Sequence, residues 1–210
     1  MGTENLPGDY DRTSRLDFLK YLAENTWTVV GTEPYTYFKV KNDELNRKRM
    51  LWGMLRYYLF FAAVFLYDWR VGILYVLVPL LVMNFISALT AWVQHAFHDT
   101  ARPDNYFANT VTVYGEVNFM NEGYHLSHHH LSSLHWTEMP AHHQRLRGRM
   151  RESGSLVFRD MDFLDLFVEL TVLRRTKVLA ERLVPWEPMT RDQRLDLLAK
   201  RTKPPVIASA

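Results

Sequence analysis

The chain has 210 residues, with 25 Lys and Arg against 23 Asp and Glu, for a formal net charge of +2. So even a balance gives no case for a nucleic-acid partner. The absence of cysteine excludes disulfides, thiolate-held zinc or iron–sulfur clusters and cysteine nucleophiles.

The opening segment, MGTENLPGDYDRT, is polar and has no apolar core, so it does not read as a cleavable signal peptide. Met1-Gly2 begins a myristoylation signal, but Leu6 stands where that signal needs Ser or Thr. Residues 1–13 are expected to be irregular. Thr13 or Ser14 then caps a helix through RLDFLKYLAENTW, where Leu16, Leu19 and Leu22 recur at helical spacing. Together with the charged segment KNDELNRKRM, this makes residues 1–49 a lead-in containing one helix.

Two apolar runs follow. The first, MLWGMLRYYLFFAAVFLY (residues 50–67), is interrupted by Arg56, which can snorkel toward headgroups. The second, residues 71–93, has no charged side chain; at about 1.5 Å per residue it is roughly 35 Å long, enough for a ~30 Å hydrocarbon core. Pro79 is tolerated in such a helix. With only Asp68, Trp69 and Arg70 between them, the runs predict a transmembrane helical hairpin within residues 50–98. The competing reading is a pair of buried helices in a soluble bundle. Lys39, Lys41, Arg47, Lys48 and Arg49 precede the hairpin, whereas its turn carries Arg70. The positive-inside rule therefore puts both flanks, and the histidines that follow, in the cytosol.

Residues 99–202 are expected to form a cytosolic helical cap, and 203–210 a disordered tail. Within the cap, QRLRGRMR (144–151) holds four arginines and no acid, which suits either a solvated basic face or anionic headgroups. Residues 162–184 read as one helix, acidic early and basic late. The fold class expected is all-α.

All nine histidines lie between His95 and His143. His125, His128 and His129, in NEGYHLSHHHLSSLHW, stand at i, i+3 and i+4 and share one helical face. Three imidazoles there can converge on iron, zinc, copper or nickel. A second pair, His95 and His98 in WVQHAFHD, falls at the end of the second apolar helix, with Asp99 able to orient a ring. His130 points away from this face, and His135, His142 and His143 read as surface or outlying groups. A pH switch is the alternative use of such a cluster, but it does not account for the delivery of the cluster by an apolar helix.

NEGYHLSHH resembles the third histidine box of the membrane fatty acid desaturase family, and WVQHAFHD, the stretch ARPDNYFANTVTVYGEVNFM and LHWTEMP resemble bacterial-type members over roughly residues 50–170. The resemblance implies a membrane di-iron oxidoreductase of lipid metabolism. It would take hydrogen from unactivated C–H bonds of acyl chains with dioxygen and electrons from a ferredoxin or cytochrome b5 type of donor. It implies iron ligands at His125, His128 and His129, a further ligand at His95 with His98 as the less secure position, and Asn118 or Asn121 beside a metal-bound water. It also implies two earlier histidine boxes. Because no histidine precedes His95, the chain is expected to correspond to a C-terminal half, with an incomplete site unless an upstream segment or an oligomeric partner completes it. The alternatives are a lipid or alkane hydroxylase of the same architecture, and an inactive relative that binds lipid or a partner.

Overall fold

The computed structural model describes residues 10–28 and 33–203. Most of the expected irregular lead-in, up to residue 9, and the expected disordered tail beyond Lys203 lie outside the described residues. The chain is mainly helical, and its described residues divide into two compact units, one within residues 20–88 and the other formed by residues 10–19 and 89–203.

The first unit carries the apolar runs. Helix α1 (Arg15–Trp27) enters it, and the expected cap is present, since the Ser14 hydroxyl accepts the Asp17 N–H at 3.2 Å. A short α2 (Glu33–Val40) follows, and Asn42 turns the chain at φ 53°. Asp43 then caps α3 (Glu44–Tyr67), its carboxylate accepting the Asn46 N–H. One residue makes the hairpin turn. Asp68 ends α3 and, with its side chain accepting the Arg70 N–H at 2.8 Å, starts α4 (Trp69–Val71). The helix continues through a π-helical stretch, Gly72–Leu77, into α5 (Val78–Gln94). Gly72 is required here, because a Cβ at that position would lie 2.5 Å from the Phe65 ring.

Both α3 and the continuous segment Trp69–Gln94 are long and apolar enough to cross a membrane. Every residue of α3 is exposed or half-buried, and large apolar side chains such as Leu59, Phe60, Leu66, Leu81 and Met83 face outward. Core helices of a soluble bundle would have this apolar surface covered, as it is not here.

The second unit has its own core. Phe107, Leu126, Leu146, Met150 and Val157 form a buried cluster contributed by α6 (Tyr106–Asn109), α7 (His125–His130), α8 (Met139–Ser153) and β2 (Val157–Arg159). Strand β1 (Thr112–Tyr114) pairs with β2 in parallel, Thr112 opposite Val157. Helix α8 stops at Gly154, whose left-handed φ of 65° lets its N–H reach the Arg151 carbonyl. A second knot surrounds fully buried Trp92: its indole N–H donates to the Thr171 hydroxyl at 3.0 Å, that hydroxyl donates to the Arg12 carbonyl, and the Arg12 guanidinium lies 4.1 Å from the indole centroid.

Residues 162–184 are not one helix. Asp162 caps α9 (Phe163–Phe167) with a capping box. The chain widens into a π turn over Val168–Val172 and breaks at Arg174, which takes φ 54°. It resumes as α10 (Thr176–Arg182). The wide turn leaves Leu173 N–H on the Val168 carbonyl and Arg175 N–H on the Glu169 carbonyl, so the α register is lost before Thr176. The last described helix, α11 (Arg191–Thr202), is opened by a Thr190/Gln193 capping box.

Candidate metal centre

Three segments of the second unit deliver the histidines. Helix α5 ends at Gln94, so His95 projects from the first residue beyond it. Gln94 anchors both sides of the approach to the histidine box: its carbonyl accepts the Val111 N–H at 2.8 Å and its side-chain amide donates to Glu122 at 2.9 Å. The chain then turns through the 3-10 stretch Phe119–Tyr124, with Met120 at φ 48° and Asn121 at φ 58°. The Asn118 side chain accepts the Gly123 N–H at 2.7 Å. Gly123 sits so close to β1 that a Cβ would lie 2.5 Å from the Val113 carbonyl oxygen. Immediately afterwards α7 begins. Its Leu126 and Ser127 are buried, which turns the i, i+3, i+4 face carrying His125, His128 and His129 away from the core.

The result is a compact group. One ring nitrogen from each of His95, His125 and His129 lies within 4.8 Å of the other two. His95 Nε2 and His129 Nε2 are 3.3 Å apart, and the His125 and His129 ring centroids are 4.6 Å apart. His128 stacks beside His125 at 5.6 Å between centroids but stands outside the three-nitrogen group. His98 also stands outside it, with Nδ1 buried without a hydrogen-bond partner and its backbone N–H on the Arg201 carbonyl at 2.8 Å.

Asp99 does not orient a histidine ring as expected. Its carboxylate accepts from Arg102 at 2.7 Å and Arg201 at 3.2 Å, charge-assisted bonds stronger than one to a neutral imidazole. The second partner of His95 is the Asn109 carbonyl oxygen, 3.1 Å from Nδ1. A carbonyl only accepts, so Nδ1 carries the hydrogen and Nε2 keeps its lone pair for a metal. Asn109 is in turn held by its own side chain, which accepts the Asp99 N–H at 2.6 Å and donates to the carbonyls of Arg102 and Pro103, each at 2.9 Å.

Electrostatics favour the neutral ligand form. Burial, reinforced by neighbouring His129, pushes the His95 pKa down to about 4. Burial and the surrounding imidazoles hold His125 well below the ordinary imidazole value. At neutral pH both rings keep their lone pairs, the state a divalent metal needs. Three imidazoles without a thiolate suit iron, zinc, copper or nickel, so the donor set fits an iron.

The other histidines serve different neighbours. His130 and His142 face each other at 3.0 Å between ring nitrogens, with Arg149 donating to His130 at 3.1 Å. His143, expected at the surface or on the edge of the site, is fully buried and shares a 3.0 Å hydrogen bond with the Tyr114 hydroxyl. It packs inward because α8 lays its His142, His143, Leu146 and Met150 face on the core. Asn118 and Asn121 act on the backbone, toward Gly123 and the Trp136 carbonyl respectively. Sequence reasoning missed Asn109, whose segment YFAN carries no metal-site spacing.

Two helices long and apolar enough to cross a membrane and a group of three imidazoles that could hold a metal ion are the features a known family has to account for. The family model for fatty acid desaturases matches residues 6–160. The chain belongs to the fatty acid desaturase family. No curated protein and no solved structure matches it.

Proposed function

We propose that this chain is an oxygen-dependent oxidoreductase of the desaturase type, acting on the acyl chain of a membrane lipid, with iron held by His95, His125 and His129. The observation that carries this reading is the convergence of three ring nitrogens within 4.8 Å at the end of a helix able to cross the bilayer. Members of the family generally depend on two irons; the imidazoles gathered here are enough for one, with His128 beside them available to a second. When bound, iron would supply the oxidising power for removing one hydrogen from each of two adjacent CH2 groups, and dioxygen would take up those two hydrogens with two electrons and two protons from the donor side and leave as two waters.

The protein's own part is positional. The Asn109 carbonyl fixes the hydrogen of His95 on Nδ1, and burial keeps His95 and His125 neutral. The buried Leu126 and Ser127 anchor the helix that presents the other two rings. In this reading residues 50–98 form the transmembrane hairpin and residues 99–202 the cap. The cap is cytosolic because Lys39, Lys41, Arg47, Lys48 and Arg49 outweigh Arg70. A ferredoxin or cytochrome b5 type of protein then reaches it as electron donor.

The test is iron content of detergent-purified protein from iron-replete cells, followed by acyl-chain analysis after supplying dioxygen and a reductant. About one iron per chain, lost in His95→Ala, His125→Ala and His129→Ala but kept in His142→Ala, supports the assignment. Equal iron in all four variants removes it.

A further inference from the structure

The arginine-rich helix α8 borders an open cleft of about 420 Å³ that no histidine lines. Tyr114 of β1 and Val157 of β2 lie along one side, and the chain returning from α10 closes the other with Val184, Pro185 and Trp186. Those walls are fixed. The Val184 N–H donates to the Val157 carbonyl at 2.8 Å, and the Trp186 indole N–H donates to the Ser155 carbonyl at 2.7 Å. Gly148 of α8 also lines the cleft. A Cβ there would meet nothing within 4 Å, so the packing of the protein does not call for glycine at a helix-interior position that alanine would hold better. What the glycine keeps is room in the cleft.

The charge along the cleft is of one sign. Arg147 and Arg151 line it and no acidic residue does. At i and i+4 they stand one turn apart on the same side of α8. Arg151 meets Glu187 in an exposed pair, which holds it only weakly. Arg147 meets no carboxylate among the described residues; its guanidinium lies 6.0 Å from the Trp186 ring centroid. Tyr114 supplies a third donor. Buried His143 is neutral near pH 7 and so carries one N–H. Its Nδ1 is buried without a partner, and an orphaned buried N–H is rarer than an orphaned acceptor. The hydrogen therefore sits on Nε2, which donates to the Tyr114 oxygen at 3.0 Å. That leaves the phenolic hydrogen free for an acceptor in the cleft.

We infer that this cleft binds a phosphate monoester with an apolar body. Arg147, Arg151 and the Tyr114 hydroxyl hold the oxyanion, and the body lies on Trp186 and Val157. Two guanidiniums match the charge of about −1.5 to −2 that such an ester carries near neutral pH, and both donate to it more strongly than to a neutral acceptor. A single carboxylate would leave one of them unmatched. The volume is that of an ordinary small-molecule site. The same reading separates the four arginines of QRLRGRMR, because Arg145 and Arg149 turn instead to His142 and His130. It draws on nothing about the metal or the membrane.

The experiment titrates phenyl phosphate calorimetrically into the full chain in a non-ionic maltoside detergent, with chelator present so that no metal takes up the phosphate. The expected result is saturable binding of one phosphate ester per chain. Arg147→Gln should weaken it about tenfold or more, Tyr114→Phe about three- to tenfold, and Arg145→Gln not at all. Gly148→Leu fills the cleft from a helical position open to a side chain, so its Tm should be no lower than that of the wild type while binding is lost. Absence of saturable binding overturns the inference. Equal weakening by Arg145→Gln and Arg147→Gln also overturns it, since that is attraction to a basic surface, and so does full binding by a folded Gly148→Leu. Phosphatidate added to the detergent separates the sources of the ester. Displacement of phenyl phosphate identifies a lipid headgroup as the occupant, and no displacement identifies a soluble ester; both support the site.

Discussion

Acid should destabilise this protein through a histidine that binds no metal. His143 is fully buried with Nδ1 unpartnered. Burial, with Arg147 and His142 adding to it, lowers its pKa from 6.5 to about 4. In the unfolded chain the same imidazole takes a proton as the pH drops through 6.5. The folded state refuses that proton until about pH 4, so stability is complete above 6.5 and falls as the pH descends toward 4. At about 1.4 kcal/mol per pH unit, the interval between the two pKa values amounts to about 3 kcal/mol. The assay is thermal or denaturant unfolding of the detergent-solubilised protein, with chelator present, at several pH values from 7.5 to 4. His143→Leu should lose the Tyr114 hydrogen bond at every pH but show a shallower decline. The gap between variant and wild type should narrow, or invert, by about 3 kcal/mol toward pH 4. His95 titrates in the same window, but it is present in both proteins and cancels from the comparison. A difference that does not change with pH would refute the reasoning.

Gly123→Ala forces a Cβ to within 2.5 Å of the Val113 carbonyl oxygen, and a backbone atom cannot turn aside. About 1–3 kcal/mol of stability should go together with bound iron, read by unfolding and by metal analysis. Asn109→Ala removes three side-chain hydrogen bonds and frees the carbonyl that orients His95. It should cost about 2–3 kcal/mol and weaken metal affinity about 10–100-fold, measured by competition with a chelator. Arg201→Met takes away a buried guanidinium that donates to the Ala108 and Gly154 carbonyls and to Asp99. The expected loss is roughly 3 kcal/mol, with faster amide exchange across α11 as the check.

The two long apolar helices were legible because the sequence holds two apolar runs joined by three residues, and the helical face shared by His125, His128 and His129 because i, i+3, i+4 spacing survives even in a six-residue helix. His95 and His98 show where spacing stops informing. Helix α5 ends at Gln94, so the i, i+3 relation between them carries no common face, and His98 is placed by Arg201 from far along the chain. Strands β1 and β2 are three residues each, too short for alternation to register. The break at Arg174 falls in a segment, LRRTK, with no glycine or proline to announce a left-handed residue. The likeness quoted from motifs began near residue 50, whereas the family match begins at residue 6. The added part, helices α1 and α2, holds no histidine and so had no box to be recognised by.

The bond from Arg201 to Asp99 joins residues 102 positions apart, and Thr202 likewise accepts the Arg12 N–H at 3.1 Å. Its consequence lies in time. Synthesis at ~5–20 residues per second separates Asp99 from Arg201 by roughly 5–20 s. In that interval the hairpin has already emerged and can enter the bilayer, while the segment following His95 still lacks the guanidinium that holds it. The histidine pocket is therefore among the last of the described parts to close, and in the proposed reading it closes, ready for a metal, after the apolar helices have entered the bilayer.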